Sequence, residues 1–214
     1  MDSILISFIF ISLCSGTFIC LKKNAPSYIK PFPFFLLATI CVELTALLLF
    51  YKKISNTILY NIFTSCEFIF YFYILRLIIK NKKAKKIILT CLFIFPFLCA
   101  YEIIFVMKHD GFHSITYALG CLIIVSMCVY YFLELFQLPQ SIDLKREPAF
   151  WICSGLLFYY TCSFPLFAFV NYLNNLPVFV AKNLSLLVSL TNYLLYTSFT
   201  ISFLCRLKTS NFSA

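Results

Sequence analysis

Glu67 lies near the middle of a long apolar run, and an acid placed there has few uses. A carboxylate is expensive in hydrocarbon, so such a residue faces a bundle interior or a polar cavity and marks a functional site by default. Tyr60, Thr64, Glu67 and Tyr71 follow one another at i, i+4, i+7 and i+11, which puts all four on one helical face. Glu43 sits at a similar depth in the preceding apolar run, with Thr39 one turn away. If these two helices are antiparallel neighbours, the carboxyls share a site and are expected as a neutral, protonated pair. Two chemistries fit that arrangement: a pocket that senses a polar ligand or a proton, or a pair of acids that hydrogen-bond to neighbouring helices and set their packing.

A second stripe occupies the last apolar run. Lys182, Ser185, Ser189, Asn192 and Tyr196 fall at i, +3, +7, +10 and +14, again on one face. Lys182 is expected to pair with Glu102, or to snorkel to the nearer interface. It lies too near the helix end for a retinal Schiff base. His109, Asp110 and His113 are read as an outer loop, and Gly111 between the histidines argues against a helical metal pair. Glu134 and Arg76 read as solvated helix ends. Pro165 cannot donate to the carbonyl of Thr161, so a kink is expected there. The H-E-x-x-H, G-x-S-x-G and P-loop patterns are absent, and with 4 Gly in the chain there is little scope for a phosphate-cradling loop. No cofactor and no metal is expected. The 11 Cys form no C-x-x-C pair and all fall within or at the ends of apolar runs, so they read as small packing residues.

The elements that must carry these side chains are membrane-spanning helices. Of 214 residues, 62% are hydrophobic and 12% charged, which is too little polar surface for a water-soluble domain. Seven runs approach the roughly 20 apolar residues a span requires: about 3–21, 31–51, 57–79, 86–107, 114–137, 148–173 and 178–205. No period-two alternation suggests a barrel. The fold class expected is an all-α, seven-transmembrane-helix bundle forming a single transmembrane domain over residues 1–214. Asp2 precedes the first run and Lys22-Lys23 follow it, as in a retained span rather than a signal peptide. Twelve of the 17 basic residues fall on one side. They are Lys22, Lys23 and Lys30; Lys80, Lys82, Lys83, Lys85 and Lys86; Lys145 and Arg146; Arg206 and Lys208. Lys52, Lys53, Lys108 and Lys182 fall on the other side. The positive-inside rule then expects the N-terminus outside and the C-terminus in the cytoplasm. The net charge of +9 is explained by an anionic inner surface, with headgroups near Lys80 to Lys86, and no nucleic acid is expected as a partner.

Three segments carry a resemblance: Asn61-Ile-Phe-Thr-Ser-Cys-Glu67-Phe; Pro148-Ala-Phe-Trp151-Ile-Cys-Ser-Gly155-Leu-Leu-Phe-Tyr159; and Asn192-Tyr-Leu-Leu-Tyr196. In these the chain resembles a group of uncharacterised seven-helix integral membrane proteins of Bacteroidota-type bacteria, often encoded beside two-component sensor kinases. The resemblance implies a signalling accessory of a bacterial cytoplasmic membrane and supplies neither ligand nor catalytic residues. The expectation is a receptor-like or regulatory protein with a polar pocket of Glu67, Glu43, Thr64, Tyr71, Lys182, Asn192 and Tyr196, acting through a separate sensor histidine kinase. An intramembrane lipid-acting enzyme using Glu67 and Glu43, and a small transporter, are the alternatives.

Overall fold

The computed structural model describes residues 3–21, 25–107, 111–137, 143–168 and 178–209, with side chains described except those of residues 3, 178–182 and 206–209. Seven α-helices occupy these segments: α1 Ser3–Cys20, α2 Phe32–Tyr51, α3 Thr57–Ile78, α4 Lys82–Tyr101, α5 Ser114–Phe136, α6 Pro148–Ala168 and α7 Val178–Thr209. No strand occurs among the described residues. Six of the helices, α2 to α7, are long and apolar enough to cross a membrane, and α1 is a shorter apolar helix. The protein is therefore a multi-pass helical membrane protein. In hydrocarbon every backbone N–H and C=O must be satisfied within its own segment, and these runs satisfy them as helix.

Local chemistry sets the helix ends. The Asn81 side chain accepts from the Lys83 and Ala84 amides, so α4 starts earlier than its apolar run does. At its far end α4 loosens into a π-helical turn, Glu102–Val106. Helix α2 stops in a Schellman arrangement. Ile54 N–H reaches the Leu49 carbonyl, Lys53 N–H reaches that of Phe50, and Lys53 takes a left-handed φ of 56°. Pro148 opens α6, and the Trp151 indole nitrogen donates to the Lys145 carbonyl at 3.1 Å. Pro165 falls in the last described turn of α6.

The helices form a ring. Following the contacts around it, α1 packs on α7, α7 on α6, α6 on α5, α5 on α3, and α2 on α1; a thin α2–α3 seam closes the circle. Helix α4 stands outside the ring, against α3 and more lightly α5. Close approach depends on two small residues. A Cβ on Gly120 of α5 would meet the Phe68 ring at 2.6 Å, and one on Gly155 of α6 would meet the Ser198 Cβ of α7 at 2.8 Å. Rings fill the interior: Phe35 stacks on Phe70 with centroids 4.1 Å apart, and Phe68 meets Phe95, Tyr117 and Tyr160. Outside, Phe34, Phe97 and Leu48 are exposed, as side chains that face lipid should be. All eleven cysteines are free.

Glu134 and Arg76 are partly exposed helix-end residues, and Glu134 has a structural use as well. The Glu134 carboxylate, from the last turn of α5, accepts the Lys80 and Asn81 amides at 3.0 and 2.8 Å and so pins the α3–α4 connector. Arg76 is half-buried, with its Nε lacking a hydrogen-bond partner.

Candidate functional site

Inside the ring lies a cavity of about 480 Å³ to which every helix except α4 contributes. Its acids are Glu43 from α2 and Glu67 from α3. Around them stand Tyr60 and Thr64 of α3, Tyr117 of α5, Tyr159 of α6, and Ser185, Ser189, Asn192 and Tyr196 of α7. The helical spacing explains this convergence: one face of α3 and one of α7 each present a polar stripe, and ring closure turns both stripes inward. The Tyr60 hydroxyl donates to Glu43 Oε2 at 3.4 Å. Glu67 is buried, and its polar neighbours are the Tyr71 hydroxyl and the Glu43 carboxyl. The Asn192 amide nitrogen donates back to the Val188 carbonyl at 3.0 Å.

Of the residues expected at a polar pocket, Glu67, Glu43, Thr64, Asn192 and Tyr196 line this one cavity. Tyr71 does not. It is fully buried one turn further along α3, and its hydroxyl closes no hydrogen bond within range although it neighbours Glu67. The Lys182 side chain lies outside the described residues, as do His109 and Asp110. The expected pairing of Glu102 with Lys182 is replaced by a different use. Both carboxylate oxygens of Glu102 are taken by backbone amides of α5, Ile115 at 3.0 Å and Thr116 at 2.7 Å. A carboxylate at a helix N-terminus meets unpaired N–H groups and the positive end of the dipole, and that is the stronger offer here.

His113 lies in the connector before α5, as expected, but is not exposed there. It is fully buried at the start of α5, ordered by the chain around it. Asn61 of α3 donates to the Gly111 carbonyl at 2.9 Å and accepts from the His113 amide at 3.3 Å. The imidazole bridges Thr64 Oγ1 through Nε2 at 2.7 Å and Thr116 Oγ1 through Nδ1 at 2.8 Å. Thr64 has one hydroxyl proton, and it donates to the Tyr60 carbonyl at 2.7 Å. Nε2 then carries the imidazole proton. Thr116 Oγ1 reaches Nδ1 at 2.8 Å and the His113 carbonyl at 3.4 Å, and donation along the shorter contact leaves a neutral histidine. Burial pushes its pKa down to about 4, against the opposite pull of Glu102. Polar contacts thus link the cavity wall at Thr64 through the His113 ring to the Thr116 hydroxyl, and the backbone amide of the same Thr116 donates to Glu102. Sequence reasoning missed this link. The one available signal was Asn61, a second polar residue a turn and a half before Glu67.

A larger cavity of about 710 Å³ opens at the end carrying Lys80. Lys80 and Lys85 face Glu134 and Glu147 across it, so its charges balance and Glu134 is already engaged. Among the described residues no three His, Cys, Asp or Glu side chains gather as a metal site. Comparison of the chain with family models, with curated proteins and with solved structures finds no match.

Proposed function

We propose that this is a receptor-like or regulatory membrane protein, whose central cavity binds a small ligand and whose change of state is read by a separate partner such as a sensor histidine kinase. The observation that carries the reading is the cavity itself: two carboxyls set among phenol, hydroxyl and amide groups inside a ring of six helices. Polar groups lining a cavity need polar partners, so a guest of complementary polarity stabilises the ring. The ring also suggests how a guest would act. Six helices border it, so filling it biases their relative positions, and the thin α2–α3 seam is the place that yields most easily.

In this reading the chain crosses a bacterial cytoplasmic membrane seven times, N-terminus outside, with α1 as the first span. The connector carrying Lys80, Lys82, Lys83, Lys85 and Lys86 then faces the cytoplasm, where it meets anionic headgroups and the partner. Labelling of single cysteines added at each terminus of a cysteine-free variant, with a membrane-impermeant reagent, is expected to mark only the N-terminal one. Equal labelling of both would remove the topology.

The experiment on function uses Glu67→Gln, which keeps the shape of the neutral acid. The variant is expected to express and melt like the wild type while altering the output of a reporter driven by the partner kinase. A normally folded Glu67→Gln protein with unchanged reporter output would reduce Glu67 to a packing residue.

A further inference from the structure

The cavity wall has a chemical bias that narrows its guest. Its two acids are joined by ring faces and phenols from four helices, Tyr60 on α3, Tyr117 on α5, Tyr159 on α6 and Tyr196 on α7. Among the described lining residues none is basic. We propose that the cavity binds a small organic cation, an amine or quaternary ammonium bearing an apolar or aromatic arm; this rests on the reading of the cavity as a ligand site.

A cation moved from water into a low-dielectric ring needs a counter-charge and a polarisable wall. An ionised Glu67 or Glu43 supplies the charge, and the faces of Tyr159 and Tyr196 supply the wall through cation–π attraction. An anion would meet two carboxyls there and, among the described lining residues, no cationic side chain. A neutral apolar guest would fill the space but offer neither carboxyl a polar partner. The size agrees: about 480 Å³ lies within the span of small-molecule sites, roughly 300–1,000 Å³. Phe63 and Phe167, also on the wall, give an aromatic arm a surface to lie on.

Three probes of similar size and different charge test this on the full chain in nanodiscs. They are benzyltrimethylammonium, its carbon isostere neopentylbenzene, and phenylacetate, each at matched free concentration, with thermal unfolding as the readout. Benzyltrimethylammonium is expected to raise Tm most. Glu67→Gln is expected to weaken its apparent affinity by about tenfold or more, as loss of an ionic partner does. Glu43→Gln, on a half-buried residue, is expected to weaken it less and guards against a Glu67 variant that does not fold. A Tm gain from neopentylbenzene as large as that from the cation would overturn the cation proposal and leave a ligand cavity standing, and so would a preference for phenylacetate. If none of the three moves Tm, the proposal falls together with the reading of the cavity as a ligand site.

Discussion

Glu102 and Glu67 are comparably deep in the protein, 3% and 8% exposed, yet their surroundings differ in kind. Glu102 spends both oxygens on the first amides of α5, while Glu67 opens onto the cavity beside a second acid and a phenol. Thr64 belongs to both neighbourhoods, lining the cavity and hydrogen-bonding to His113. The contrast teaches that burial alone does not mark a functional acid. A buried carboxylate whose lone pairs are already filled holds two helices in register. One whose side chain lines a cavity is placed to meet a guest.

The largest expected effect tests the filled side. Glu102→Ala leaves the Ile115 and Thr116 amides without acceptors and is expected to cost about 4 kcal/mol, two charge-assisted bonds at about 2 kcal/mol each. Chemical unfolding of the protein in mixed micelles measures it. A loss under about 1 kcal/mol would erase the distinction drawn between the two acids.

Acid should attack the same network through His113. Its folded pKa, about 4, lies below the 6.5 of an ordinary histidine. The unfolded chain therefore binds a proton that the folded chain refuses, and the contribution of neutral His113 is complete above pH 6.5 and lost as pH falls towards 4. A gap of that size amounts to about 3 kcal/mol at full expression. His113→Gln should flatten that part of the pH–stability curve; an unchanged slope would mean another group carries it. Asn61→Ala, which frees the Gly111 carbonyl and the His113 amide, is expected to cost about 2 kcal/mol by the same unfolding assay.

The smallest effects are expected at the open acid. Glu67→Gln should change stability by less than about 1 kcal/mol, because it removes no short bond to the protein. Glu67→Ala should cost more, since it also strips the Tyr71 hydroxyl of its polar neighbour. If Glu67→Gln proved as damaging as Glu102→Ala, Glu67 would be structural too and the contrast would collapse.

Much of the fold is legible in the chain because lipid as solvent leaves few options. Apolar runs of span length become helices, and a 3.6-residue period places Glu67 with Tyr60 and Thr64, and Ser189 with Asn192 and Tyr196. The same reasoning groups Tyr71 with Glu67, but a shared face does not ensure a shared cavity. What could not be read are the long-range backbone bonds. Nothing local to Glu102 says that its partners are amides thirteen and fourteen residues on, nor does Glu134 announce Lys80 and Asn81, more than fifty residues earlier. His113 falls in the connector between two apolar runs, as its sequence position implies, but nothing local to it announces its burial or that Asn61 reaches across to that connector.

The placement of α4 outside the ring has a consequence for how this chain can vary. The helix touches the bundle along one stripe, Ala84, Ile88, Phe95 and Cys99, continued by Glu102, and lends nothing to the cavity. Phe93, Ile94 and Phe97 look outward. In a scan of every single substitution, the outer side of α4 should accept almost any apolar residue, and intolerance should shrink to that stripe and peak at Glu102. Homologous chains would then drift fastest along the face of α4 that meets the lipid, and slowest at the one acid that ties it to its neighbour.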